Sequence, residues 1–373
     1  MGEIEVMFRV LIAGSGKIGS LVAWLLERSK RYEVHIGDVS FKGADVTHLL
    51  RAFPHIKKTI LDFSDEIAVG EYVQNHGIQA VMSSLPYFLN PKVAEMAKRS
   101  QIHYFDLTED THVTSCVKAL AKDAKKAFVP QCGLAPGFIN LTANSLMKTF
   151  DKLDSAKLRV GALPQNSNHA LHYALTWSTD GIINEYGNLC HAIERGESVM
   201  VPALEDWELI QLNGNSYEAF HTSGGVGHLV EMYQGKINTL NYKTMRYPGH
   251  CDKMRFLMKD LKLNEDRPTL KRILENSVPK TYQDLVVIYV SVTGWQGNTY
   301  IEQNYSKKIY PQVLEGITWS AIQISTASAL CATVDIILND EKQYSGFVMQ
   351  EIIPLEVFLA NPFSAPYQEV SHV

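Results

Sequence analysis

The chain has 373 residues, 46% of them hydrophobic, and a formal net charge of −5, which is apolar material for more than one buried core. No clustered excess or long run of Lys and Arg marks a nucleic-acid surface. Five cysteines (Cys116, Cys132, Cys190, Cys251 and Cys331) fall at irregular spacing with no CxxC pair; this argues against a disulfide framework and against a metal site, and for a reducing, cytoplasmic compartment.

The first residues, MGEIEV, are acidic and lead straight into an apolar strand, unlike the basic start of a signal peptide. FRVLIAG (8–14) is an apolar run of strand length, and KIGSLVAWLLERSK (17–30) repeats its apolar residues at helical spacing. Further strands are expected at YEVHIGD (32–38), KKTILD (57–62), QAVMSSLP (79–86), HYFDLTED (103–110) and KAFVPQCG (126–133), with helical stretches at NPKVAEMAKRS and around CVKALAKDAK. Alternating strands and helices with apolar strands predict an α/β, doubly wound parallel sheet over residues 1–138. Beyond about residue 140 the pattern changes. SAKLRVGALP, KINTLNYKTMRY and QDLVVIYVSVTGW alternate apolar and polar residues, which predicts a second, α+β domain over 139–318 with a mostly antiparallel sheet. The uncharged run 316–334, GITWSAIQISTASALCATV, is long enough to raise a membrane span. Its Gln323, Ser and Thr residues favour a packed internal or subunit-interface helix instead. Residues 319–373 are expected to return to the first domain, and the tail NPFSAPYQEVSHV shows no secondary-structure pattern.

Gly14-Ser15-Gly16-Lys17-Ile18-Gly19 is a G-x-G-x-x-G between a strand and a helix. In that context Gly14 permits the tight turn, Gly16 lets backbone approach a pyrophosphate, and Gly19 lets helix and strand pack closely. Asp38 ends the second strand about 20 residues later, where an acid hydrogen-bonds a ribose 2′-hydroxyl. This favours NAD; Lys42 nearby keeps NADP open. Ligands of such sheets bind beyond the carboxyl ends of the strands, so Asp62 is a candidate for the adenine side. Ser84, Leu85 and Pro86 are candidates for the nicotinamide side.

Asp106, at another strand end, is a candidate acid or base, while Glu109 and Asp110 fit a helix start with Thr108 as its N-cap. Cys132 stands at a further strand end, either as a reactive thiol or as a small packing residue. In the second domain, HTSGG (221–225) and YKTMRYPGH (242–250) look like polar loops beside glycines. Arg246 suits a carboxylate, His250 a proton shuttle, and Lys243, Tyr247 and His221 the substrate's surroundings.

GSGKIG, DLTED, QCGLAPGFIN, EAFHTSGG and YKTMRYPGH, in this order, resemble the saccharopine dehydrogenase family, in particular its lysine 6-dehydrogenase and saccharopine-reductase-like branch. The resemblance implies a Rossmann domain, a substrate domain, and NAD(P)-dependent oxidation at a carbon bearing nitrogen in a lysine- or saccharopine-type amino acid. It also implies a homodimer or higher homo-oligomer. By similarity Arg246, Tyr247 and His250 line the amino-acid pocket, and Asp106 and Cys132 lie near the nicotinamide. Two alternatives stand beside this expectation: reductive condensation of an amine with an aldehyde, and a non-catalytic dinucleotide-binding protein.

Overall fold

The structure, a computed structural model, describes residues 7–368. The acidic start read against a signal peptide and the last five residues of the tail lie outside the described residues. The chain divides into two compact units, one holding the residues up to 134 together with those from 323 onward, the other residues 135–322.

In the first unit β1 (Phe8–Ala13), β2 (Tyr32–Asp38), β3 (Lys57–Ile60), β4 (Ala80–Ser83), β5 (His103–Asp106) and β6 (Ala127–Val129) pair in parallel. Between them run α1 (Lys17–Ser29), α2 (Ala44–Ala52), α3 (Glu66–His76), α4 (Asn90–Ser100) and α5 (Thr111–Leu120). The spatial order is β3-β2-β1-β4-β5-β6, and the short strand Gly346–Phe347 joins beside β6. This is the doubly wound sheet expected from the apolar strands. Helices α2 and α3 have no counterpart in the sequence reading. Among the residues of α3 only Val69 and Val73 are buried, so its apolar stripe is too thin to show as a pattern. The tail also departs from expectation, since Pro362–Tyr367 form a 3-10 helix.

Register places the functional edge. Ala13 pairs with Gly37 and with Ser83, and Ser83 pairs with Asp106. Four strands therefore end at one level, and Gly14, Asp38, Ser84 and the residues after Asp106 leave the sheet along one edge.

The helix Ala321–Asn339 is long and apolar enough to cross a membrane, yet 83% of its most apolar window is buried inside the protein. Within the first unit Gln323 Nε2 donates to the Lys17 carbonyl at 3.0 Å, and Tyr367 donates to the Ser325 carbonyl at 2.6 Å. Asp335, a buried carboxylate on this helix, takes hydrogen bonds from Tyr32 at 2.5 Å and Asn361 at 2.7 Å, and an ion pair with Arg31 at 3.0 Å.

The second unit is built on a sheet ordered β10-β11-β12-β7-β13-β14, with β8 beside β12 and β9 beside β8. The strands are β7 (Lys152–Pro164), β8 (Cys190–Glu194), β9 (Glu197–Val201), β10 (Glu208–Leu212), β11 (Asn215–His221), β12 (Thr239–Arg246), β13 (Asp284–Gln296) and β14 (Thr299–Ile309). All pairs are antiparallel except β12 with β7. That parallel pair arises because the chain leaves β7, builds four other strands, and re-enters from the same end. Helices α6 (Phe138–Met147), α7 (Thr179–Gly187), α8 (Leu229–Tyr233), α9 (His250–Arg255) and α10 (Arg267–Ser277) complete the unit. Ile182, Ile183 and Tyr186 of α7 pack with Phe220, with Cys251 and Met254 of α9, and with Leu270 and Leu274 of α10. A separate cluster joins Leu163, Tyr217, Ala219, Met245 and Val287.

Replacing Asp335 by Ala leaves Arg31, Tyr32 and Asn361 without their acceptor and Asn339 with only the backbone carbonyl of its two, and we expect a loss of about 3 kcal/mol, as for breaking a buried ion pair. Urea unfolding measures it; a loss under about 1 kcal/mol would mean that Arg31, Tyr32 and Asn361 find water instead.

Candidate active site

At the edge of the first unit the three loop glycines are needed for three different reasons. Gly14 has φ +98°, and its N–H donates to the Gly37 carbonyl at 2.9 Å. A Cβ on Gly19 would lie 2.0 Å from the Gly14 carbonyl oxygen. A Cβ on Gly16 would meet nothing within 4 Å, so that side is open for a ligand to approach backbone. Helix α1 starts at Lys17 with no side-chain cap and no acidic residue in its first turn. Its N–H groups and dipole are left to an anion. Lys17 and Ile18 are half-buried there. These features fit a pyrophosphate.

Asp38 holds this loop. Its Oδ2 accepts the Ser15 N–H at 2.6 Å and the Ser15 hydroxyl at 2.8 Å, and its Oδ1 accepts the Ser40 N–H at 3.1 Å. Ser84 donates to the Ala13 and Gly14 carbonyls at 3.0 and 3.1 Å. Leu85 is half-buried against Gly14, and Pro86 is exposed. Asp62 lies past the end of β3, is exposed, and accepts the Ser64 N–H at 2.8 Å. That backbone bond, more than anything else, holds its carboxyl below the usual range, as in a turn residue.

Asp106 is wholly buried. Its Oδ1 accepts from the N–H groups of Thr108 (2.9 Å) and Gln131 (3.1 Å), and its Oδ2 accepts from Tyr104 at 2.6 Å. Burial raises its carboxyl, and the three donors offset part of that rise. Both oxygens already serve the protein, so Asp106 ties the exits of β5 and β6 together. Cys132 is equally buried; its thiol donates to the Val129 carbonyl at 2.9 Å, and burial, with Asp106 adding, pushes it well up. The thiolate a nucleophile needs is therefore disfavoured, and its setting is that of a packing residue. The N-cap of α5 is Asp110, which accepts the Val113 N–H at 2.8 Å, and not Thr108.

YKTMRYPGH is not a loop. Residues 242–246 finish β12, Tyr247–Gly249 make the turn, and His250 opens α9. Side chains alternate between the two faces of a strand, and this separates residues that the sequence placed together. Register lines up His221, Lys243, Arg159 and Tyr289 in one row across β11, β12, β7 and β13. Arg246 lies on the opposite face, with Tyr242, Thr244 and Glu218. Lys243 is occupied. It ion-pairs with Asp206 at 2.8 Å and donates to the Asp206 carbonyl at 2.5 Å. His221 lies 3.3 Å from the same carboxylate, and Arg159 pairs with Glu208. Tyr247 stacks on Tyr217 and donates to the Pro164 carbonyl at 2.9 Å. These residues build the sheet's other face and do not surround Arg246.

Around Arg246 the polar groups form a chain with one direction. Its Nε donates to the Tyr186 hydroxyl at 2.9 Å, and its Nη1 to the Met245 carbonyl at 2.9 Å. The guanidinium lies 4.9 Å from the ring centre of Tyr173 and 5.9 Å from that of Tyr186, the reach of a cation–π contact. Among the described residues Nη2 has no hydrogen-bond partner, and no carboxylate forms an ion pair with Arg246. His250 Nδ1 lies 2.8 Å from the Leu171 carbonyl, and its Nε2 3.1 Å from the Tyr186 hydroxyl. A carbonyl only accepts, so Nδ1 carries the hydrogen and Nε2 accepts from Tyr186. Burial, with the charge of Arg246 adding, pushes the imidazole down to about 3. Burial therefore favours the neutral ring at His250.

Glu218 is a member of this site that sequence reasoning missed. Its carboxylate accepts the N–H groups of Gly249 (2.8 Å) and Cys251 (2.5 Å) and the Trp207 indole at 3.1 Å. It thereby fixes the start of α9 and the placing of His250. The sequence signal was its place three residues before the HTSGG motif; that it stands opposite Arg246 is visible only in the register.

Comparison with known proteins gives this geometry a family. Residues 10–130 match the model of the saccharopine dehydrogenase NADP binding domain, and residues 133–364 that of the saccharopine dehydrogenase C-terminal domain. The chain belongs to the saccharopine dehydrogenase family. Its first unit carries the family's NAD(P)-binding domain. A saccharopine dehydrogenase [NADP(+), L-glutamate-forming] of Schizosaccharomyces pombe is 25% identical over 65% of this chain, a match spanning 56% of that relative's length. Two solved structures share the fold. The saccharopine dehydrogenase (L-Glu forming) of Saccharomyces cerevisiae has a TM-score of 0.77 at 17% identity, covering 94% of this chain and 96% of that one. A homospermidine synthase of Legionella pneumophila has a TM-score of 0.67 at 11% identity, covering 96% and 89%.

The neutral state of His250 has a consequence for stability. Its folded pKa of about 3 lies below the unfolded 6.5, so its contribution is complete above pH 6.5 and is lost as pH falls towards 3. Below pH 6.5 this one group lowers stability by up to about 1.4 kcal/mol per pH unit. Urea unfolding at pH 7, 6 and 5 should show a shallower slope for His250→Gln than for wild type. Identical slopes would mean that the ring is solvated when folded.

Proposed function

We propose that the protein is an NAD(P)-dependent dehydrogenase acting on the CH–NH bond of a lysine- or saccharopine-type amino acid. The observation that carries the reading is Arg246, a buried cation with no carboxylate partner among the described residues. Burying such a charge unpaired costs several kcal/mol. A substrate carboxylate at Nη2 supplies the missing charge through charge-assisted hydrogen bonds. The name of the Schizosaccharomyces pombe relative, a saccharopine dehydrogenase forming L-glutamate, supports the same substrate class.

A nicotinamide dinucleotide at the glycine loop supplies the hydride acceptor. The chain's own residues bind and orient. Arg246 fixes the carboxylate and so the position of the carbon that bears nitrogen. The rings of Tyr173 and Tyr186 keep water from the guanidinium, which strengthens its hold. Loss of hydride from that carbon, with the amine neutral, leaves an iminium ion, which water hydrolyses to a carbonyl product and a protonated amine. His250 takes no proton in this scheme.

The dinucleotide is NAD in preference to NADP. A 2′-phosphate at the end of β2 would meet the Asp38 carboxylate, and like charges in contact cost several kcal/mol.

Two measurements at 340 nm test these statements. Replacing Arg246 by Ala should raise KM for saccharopine roughly 100-fold, the loss of about 3 kcal/mol of charged hydrogen bonding, with little change in KM for the dinucleotide. Equal rises for both would remove the carboxylate assignment. A screen of saccharopine and L-lysine with each dinucleotide, and of L-glutamate plus an aldehyde with NADH, settles the direction. kcat/KM should be at least about tenfold higher with NAD than with NADP; parity would overturn the role of Asp38.

A further inference from the structure

We propose that Tyr186 and His250 are positioning residues that aim the Arg246 guanidinium, and that His250 acts only as a fixed acceptor. The inference rests on the carboxylate reading of Arg246 given above and goes on to say which groups make that site specific.

The hydrogen-bond directions carry the argument. Arginine has no acceptor, so Nε must donate to Tyr186, at 2.9 Å. The tyrosine's own hydrogen is then free to point elsewhere, and the acceptor facing it is His250 Nε2 at 3.1 Å. The far nitrogen of the ring is anchored on the Leu171 carbonyl at 2.8 Å. Every donor in the chain from Arg246 to Leu171 has one acceptor, and no rotation of a group leaves the count intact. A second proton on the ring would put two donors, Arg246 Nε and His250 Nε2, on one hydroxyl and leave the hydroxyl hydrogen without a partner. It would also place two cations either side of Tyr186.

Burial fixes the chain further. Tyr186, Arg246 and His250 are at most 2% exposed. The His250 ring lies 5.3 Å from the ring of Tyr173 and is near-parallel to that of Phe220 at 6.2 Å. Glu218 sets the backbone of residues 249–251 from the other side. With Nε donating to Tyr186 and one N–H of Nη1 to Met245, the two N–H groups of Nη2 and the second of Nη1 are left for a ligand, on one edge of the guanidinium. A carboxylate has to arrive at that edge, and this selects where the rest of the substrate can lie.

The test uses the full chain with saccharopine as probe and separates aim from chemistry. Tyr186→Phe deletes one oxygen from a packed ring. It should raise KM for saccharopine roughly tenfold, as expected for one hydrogen bond to a charged group, and leave kcat within about twofold. His250→Leu, which removes the acceptor, should behave the same way. His250→Gln places an amide where Nε2 stood and should recover most of the loss. The dependence of kcat/KM on pH between 5 and 9 should keep its shape in His250→Gln. If that variant loses a limb of the profile, or kcat falls in place of a rise in KM, His250 is a proton carrier and the proposal is overturned. An unchanged KM in Tyr186→Phe overturns it as well. Arg246→Ala distinguishes the levels: a raised KM there with an unchanged KM in Tyr186→Phe removes the positioning chain alone. An unchanged KM in Arg246→Ala removes the carboxylate reading and the chain with it. Melting temperatures of the purified variants show that each compared protein is folded.

Discussion

A buried guanidinium without a carboxylate is the constraint around which the second unit is arranged. Arg246 has exchanged water for two tyrosine rings, one hydroxyl and one backbone carbonyl. These recover part of what burial costs, since cation–π contacts and single hydrogen bonds are each worth one or two kcal/mol. The neutrality of His250 follows first from its own burial and then from the Arg246 charge on the far side of Tyr186. The placing of Glu218 follows too. It stands in register opposite Arg246, yet its carboxylate is spent on the N–H groups of Gly249 and Cys251. The carboxylate in register with Arg246 is engaged in holding backbone, and the carboxylate whose charge acts on Arg246 is that of Glu185.

The opposite face of the same sheet shows the contrasting design. Lys243 and Arg159 are buried as deeply, but each meets a carboxylate, Asp206 and Glu208. Both acids come from the short segment that leads into edge strand β10, so one piece of chain neutralises the row. Such compensated cations hold a fold together and have no charge to offer a ligand. Lys243 and Arg246 lie three residues apart on one strand, and the alternation of its side chains separates the compensated cation from the other.

That separation explains what could and could not be read in advance. The first sheet was legible because its strands are continuous apolar runs and its glycines stand at a strand–helix junction, signals that depend on local sequence alone. The alternation of KINTLNYKTMRY pointed to the strand that residues 239–246 form, but the polar groups of Lys243, Thr244 and Arg246 also made the stretch look like a loop with Tyr247–His250. Lys243 and His221, grouped with Arg246 by nearness in sequence, stand on the other face of the sheet, because a step of one residue changes the face. His250 suited proton transfer on its ordinary pKa, but the choice between shuttle and fixed acceptor depends on burial and on the Leu171 carbonyl, and neither is visible in a single sequence. Asp106 and Cys132 stand at strand ends as expected, yet their polar atoms turn inward to Tyr104, Gln131 and Val129.

In the first unit the grip on the loop resides in the carboxylate to which the proposed preference for NAD is also assigned. Asp38 fixes Ser15 through both its N–H and its hydroxyl, and Ser15 is the residue between Gly14, with its left-handed backbone, and Gly16, with its open side. The acid that repels a 2′-phosphate is therefore also the acid that keeps the phosphate cradle in shape. Exchanging Asp38 for a neutral residue would relieve the repulsion and release the loop together, so its effect on NADP would be smaller than the charge argument alone predicts. A chain of this fold that takes NADP through the same loop needs a second change: a donor for the phosphate, and another acceptor to hold the residue between the first two glycines.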